Sequence, residues 1–154
     1  MHWRVLAAAT LVGALGAELG GCGGDAAPPL TAPPTTTWSL ILESATVADP
    51  GLGAMPNVYV DAIVAGETFE SLSVAALPDV NGGFDAGWAA PLLSGDEVTL
   101  QDGIDLQVWV DFGSGAQLAG EIVYRPALAD FGAGVIDLGS FKNVADFAVE
   151  LTPN

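Results

Sequence analysis

The sequence predicts an all-β protein, an antiparallel sandwich over residues 38–154. Three observations point there. Apolar residues recur with a period of two in several short runs. Clusters of Gly, Pro, Asn and Asp separate those runs. No stretch of ten or more residues carries the apolar stripe of an amphipathic helix. Strands of this kind are apolar on one face only, and two sheets stacked face to face bury both faces at once.

The elements follow in order. Trp38, Leu40 and Leu42 alternate with Ser39, Ile41 and Glu43, which reads as a first strand. Asp49-Pro50-Gly51-Leu52-Gly53 breaks it. Val58, Val60, Ala62 and Val64 alternate with Tyr59, Asp61 and Ile63 as a second strand. Further breaks fall at Asp79-Val80-Asn81-Gly82-Gly83 and Asp102-Gly103. Leu106, Val108, Val110 and Phe112 then alternate with Gln107, Trp109 and Asp111. The stretch VWVDFGSGAQLAGEI, residues 108–122, reads as a strand ending on Asp111, a glycine-rich loop and the next strand. Residues 126–133 suit one short helical turn in a loop. Phe147, Val149 and Leu151 alternate with Asp146, Ala148 and Glu150 as a last strand. Pro56, Pro91 and Pro126 belong at strand ends or edges, because proline has no N–H for the ladder. Trp38 and Trp88 are expected in the core. Trp109, opposite in facing to Val108 and Val110, is expected on the outer face.

The N-terminus differs in character. Met1-His2-Trp3-Arg4 is positively charged, and Val5 to Ala17 runs thirteen residues without a charge. That is shorter than the roughly 20 apolar residues of a membrane-spanning helix and fits a secretory signal. Leu19-Gly20-Gly21-Cys22 follows. It resembles the lipobox of bacterial lipoproteins, in which the cysteine is lipidated and becomes the new N-terminus. The resemblance implies a signal peptide over residues 1–21 and an anchor at Cys22, and Gly23 leans toward the outer membrane. Cys22 is the sole cysteine, so no intrachain disulfide can form. Gly23 to Thr37, GGDAAPPLTAPPTTT, is rich in proline and threonine and cannot build a core. Residues 22–37 read as a tether, extended by its proline pairs, and residues 38–154 as one domain.

Charge narrows the partners. The chain carries a net charge of −16, with only Arg4, Arg125 and Lys142 as strong bases. This excludes nucleic acid, which needs clustered Lys and Arg. Cations and partners with basic patches are the compatible counterparts, along with the membrane reached through the lipid. Arg125 is expected to pair with a surface carboxylate.

The order of strands and breaks resembles the C2 domain, a family known for calcium-dependent lipid binding. Asn57-Val58-Tyr59-Val60 stands where the family has an Asp-Pro-Tyr-Val motif, after Asp49 in the preceding loop. Asp85-Ala86-Gly87-Trp88 sits near the family's turn before its fourth strand. Leu106 to Asp111 and Leu118-Ala119-Gly120 match its later outline. The resemblance spans about residues 38–151 and implies an eight-stranded Greek-key sandwich. It also implies a metal site at Asp49, Asn57 and Asp111. The departures bear on that site. Asn57 replaces an acid, and Gly113 and Ala116 or Gln117 stand where further acids belong. Calcium takes about 6–8 oxygen ligands, and its affinity follows ligand charge, so at best a weak calcium site remains. The alternative is a loop that is only a turn.

Catalysis has little to work with. The single histidine is His2, inside the signal, so a mature Ser-His-Asp or Cys-His arrangement is excluded. Carboxylate pairs can hydrolyse glycosides, but the sequence singles out no pair. The reading is a non-enzymatic, lipid-anchored module that binds or scaffolds at the cell envelope, with an envelope protein or a glycan as partner. The first alternative is a carbohydrate-binding sandwich using Tyr59 and Trp109. The second is a carboxylate-pair hydrolase.

Overall fold

The computed structural model describes residues 37–51, 54–94 and 103–154. These all belong to one compact unit, Pro33–Asn154. The segments expected to be a signal peptide and a tether, with Cys22 between them, lie outside the described residues up to residue 36.

Among the described residues ten strands run in chain order: β1 (Trp38–Val47), β2 (Asn57–Val64), β3 (Glu67–Glu70), β4 (Val74–Ala75), β5 (Leu77–Pro78), β6 (Phe84–Leu93), β7 (Ile104–Asp111), β8 (Ala116–Tyr124), β9 (Val135–Phe141) and β10 (Val144–Pro153). Eight of them are four residues or longer, and β4 and β5 are two-residue pairings on the way from β3 to β6. A 3-10 turn at Leu128–Asp130 falls in the segment expected to hold a short helical turn.

One sheet has the order β5-β6-β1-β10-β9 and the other β3-β2-β7-β8, with β4 also on β2. Every pairing is antiparallel. β1 leads across to β2, β2 turns into β3, and the chain returns to lay β6 beside β1. That is the Greek-key return. The result is the expected all-β sandwich of two antiparallel sheets, built on eight strands of four residues or longer with two short pairings added. The last strand closes the other side of β1, and the Asn154 amide donates to the Thr37 carbonyl at 2.9 Å, one residue before the expected start of the domain.

The alternation read in the sequence is the in–out alternation of the strands. In β2, Val58, Val60, Ala62 and Val64 point inward, and in β7 so do Ile104, Leu106, Val108 and Val110. They meet Leu40, Leu42, Phe147, Val149 and Leu151 from the opposite sheet in one core. Gly120 shows how tight that packing is. A Cβ there would lie 2.8 Å from the Phe141 ring, which in turn stands edge-on to Phe147 at 5.6 Å. Only a residue without a side chain lets β9 fold over β8 at this point.

Three expectations need correction. Asp85 to Trp88 is not a turn but the first half of β6. The turn comes earlier, where the Asp79 carboxylate accepts the Asn81 amide at 2.9 Å and the Asp79 amide donates to the Gly83 carbonyl at 3.0 Å. Trp38 and Trp88 are half-buried at the margin of the core, not inside it. Trp88 keeps its indole N–H where the Leu72 carbonyl can accept it at 2.9 Å, as a tryptophan with one polar atom must when it packs against an interior. Finally, the ion pair found among the described residues is Lys142 with Glu121 at 3.5 Å, and Arg125 instead lies against Gly103.

Candidate functional site

The sequence marked two places, and strand pairing decides which residues meet at each. At the loop end, Asn57 opens β2 and Asp111 closes β7. They are direct partners in register, so their side chains leave the same face about one strand spacing apart. Asp49 reaches this end by another route. It follows β1 and lines a cavity of about 220 Å³ with Val47, Val110, Phe112, Gln117 and Asn143.

Both carboxylates already hold backbone. Asp111 Oδ1 accepts the amides of Gly113 at 2.7 Å and Gly115 at 3.1 Å. Those glycines have φ of +92° and +106°, so the loop curls back on the carboxylate in a conformation that suits glycine. Asp49 Oδ1 accepts the Gly51 amide at 2.7 Å in the same manner. Aspartate commonly orders a turn this way. Among the described residues, no group of three or more His, Cys, Asp or Glu side chains is placed to hold a metal ion. What the loop end offers a cation is the second oxygen of each carboxylate and the Asn57 amide, short of a full calcium shell.

The second place is the outer face of the β3-β2-β7-β8 sheet. Tyr59 and Trp109 are cross-strand partners. Their rings are nearly parallel, 7° apart in plane with centroids 6.3 Å apart, and both residues are half-buried. On the same face, Asp61 stands between Glu70 of β3 and Gln107 of β7, and Glu121 of β8 lies beyond Gln107. The neighbouring row holds Thr68, Ile63, Asp105 and the 56% exposed Val123.

Electrostatics on this face are unrelieved. The Asp61 carboxyl is pushed above the usual carboxylate range, first by burial and then by the negative charge of Glu70. A polar contact from the Trp109 indole opposes that rise, but it falls outside hydrogen-bond geometry. Asp61 Oδ1, Asp105 Oδ1 and Trp109 Nε1 are all buried without a hydrogen-bond partner. Burial, followed by the charges of Asp61, Glu70 and Asp111, also raises the Tyr59 hydroxyl. A buried polar atom left unpaired costs about 1–3 kcal/mol.

Reading the sequence alone singled out Tyr59 and Trp109 here but missed Asp61, Glu70 and Asp105. For Asp61 and Asp105 the signal was present: both fall on the outward positions of strands whose inward positions are apolar. Glu70 was not readable, because β3 lacks the alternation that identified its neighbours. Compared with known proteins, the chain matches no family model and no curated protein.

Proposed function

We propose that this chain is a lipid-anchored, non-catalytic binding module of the bacterial cell envelope. Its partner meets the outer face of the β3-β2-β7-β8 sheet. The observation that carries this reading is that buried polar atoms without partners share one sheet face with a cross-strand aromatic pair: Trp109 Nε1 in the pair, Asp61 Oδ1 in the next row and Asp105 Oδ1 in the row after that. Unpaired polar groups beside stacked rings are what a ligand can satisfy and cover. Leu19-Gly20-Gly21-Cys22 and the Pro/Thr-rich stretch after it support an anchored, tethered domain, leaning toward the outer membrane. The loop end with Asp49, Asn57 and Asp111 is then a weak calcium site or a turn ordered by its own aspartates.

The test is oxidative footprinting of the full chain in cells, with and without Cys22→Ser. The wild type should incorporate labelled fatty acid and stay with the envelope, and Trp109 and Tyr59 should be protected there relative to the purified chain. Equal labelling of both chains sinks the anchor. Unchanged reactivity of Trp109 sinks the binding face.

The Tyr59–Trp109 pair also favours a second reading, a glycan stacked on the rings. The two readings share a face and differ in the charge of the ligand.

A further inference from the structure

Resting on that reading of the face, we infer that its partner is a basic protein segment. A Lys or Arg side chain lies on the Tyr59–Trp109 pair, and further cations along the segment meet Asp61, Glu70, Asp105 and Glu121. Register carries the argument. Glu70, Asp61 and Glu121 stand in one row across β3, β2 and β8, with Gln107 of β7 between the last two. Asp61 and Glu70 are directly opposed across one strand interval of about 4.8 Å. That is well inside the screening length of about 8 Å at physiological salt. Salt therefore leaves most of the repulsion in place, and a bound cation removes it.

The protein has few cations of its own to do this. Among the described residues Lys142 pairs with Glu121, and Arg125 lies against Gly103, just before the start of β7, whereas Trp109 stands near its other end. A neutral glycan would stack on the rings but leave the charges opposed. A single metal ion does not fit the layout either, since the carboxylates are strung along the sheet and do not converge. From β3 to β8 the row spans roughly 14 Å. An extended peptide places alternate side chains about 7 Å apart on one face, so three basic residues at every second position cover the row. The aromatic pair adds a cation–π contact, for which Arg is the commoner partner.

The test uses the full chain in detergent micelles and three probes. They are a labelled octapeptide alternating arginine and glycine, its counterpart with serine for arginine, and a hexamer of N-acetylglucosamine. The basic peptide should bind, and its serine counterpart should not. Trp109→Ala should weaken the basic peptide about tenfold. Trp109→Phe, which keeps a ring in the same place, should recover most of that loss. Asp61→Asn should weaken binding clearly more than Glu150→Gln, which removes the same charge from the other sheet. Melting curves establish that each variant is folded. Equal losses in Asp61→Asn and Glu150→Gln would reduce the attraction to general acidity and overturn the inference, as would a peptide indifferent to Trp109→Ala. If the sugar binds in a Trp109-dependent way and the peptide does not, the basic partner is wrong and the binding face stands. If no probe binds and Trp109 is also unprotected in the envelope, both fall.

Discussion

Asp61→Asn should make the sandwich more stable at neutral pH. In the wild type, the Asp61 carboxylate faces Glu70 directly across the β2–β3 pair, and its Oδ1 is buried with no hydrogen-bond partner. Like charges directly opposed in a sheet destabilise by about 0.2–1 kcal/mol. Neutralising a poorly solvated carboxylate adds to that, discounted because the face is only half-covered. The expected gain is about 1 kcal/mol, which for a domain of this size raises the melting temperature by about 4 °C. The pH dependence has a fixed sign. The folded pKa of Asp61 lies above its unfolded value near 3.9. Its contribution to wild-type stability is therefore fully present below that unfolded value and is lost as pH rises through the folded one. The asparagine mimics the protonated form at all pH values. The advantage of the variant should thus be largest near pH 7, shrink on acidification, and vanish near pH 3. Paired thermal melts by near-UV circular dichroism at low ionic strength measure it, and Glu70→Gln in the same background shows how much belongs to the pair. A variant no more stable than wild type at pH 7, or a gain that persists at pH 3, would refute the reasoning. The same substitution is expected to weaken the basic peptide, so this position trades stability for binding.

Two further outcomes are expected. Val108→Asp puts a charge where the side chain is 0% exposed and should cost more than about 4 kcal/mol or unfold the domain, whereas Trp109→Ser, one residue along and facing outward, should leave it folded; comparable denaturant midpoints for the two would contradict the assigned facing. Calcium at the loop end should bind with a dissociation constant on the order of 10⁻³ M or weaker, so ligand at that concentration adds about 0.4 kcal/mol and Asp111→Asn should remove it; a micromolar constant by calorimetry, with a chelator control, would show that the site holds more oxygen ligands than the loop suggests.

The fold class, the long alternating strands and the breaks between them are legible in the amino-acid sequence. A period of two is a local property: each inward residue of β2 and β7 is apolar because it faces the core, and that pattern is written along the chain whatever the strand pairs with. The sequence also placed Tyr59 and Trp109 outward, for the same reason. Local reading failed where no alternation exists. β3 is four residues with three acidic or polar side chains, and the first half of β6 carries Asp85 and Gly87, which look like a turn until pairing with β1 makes them a strand. Which side chains face each other across strands is set by strand pairing and not by local pattern. That Asp61 opposes Glu70, that Tyr59 stacks on Trp109, and that Asn57 meets Asp111 all depend on register between segments far apart in sequence, and a shift of one residue would turn each of those side chains to the other face. The electrostatic character of the outer face arises from that register, since the same acids dispersed over the surface would be ordinary solvated charges.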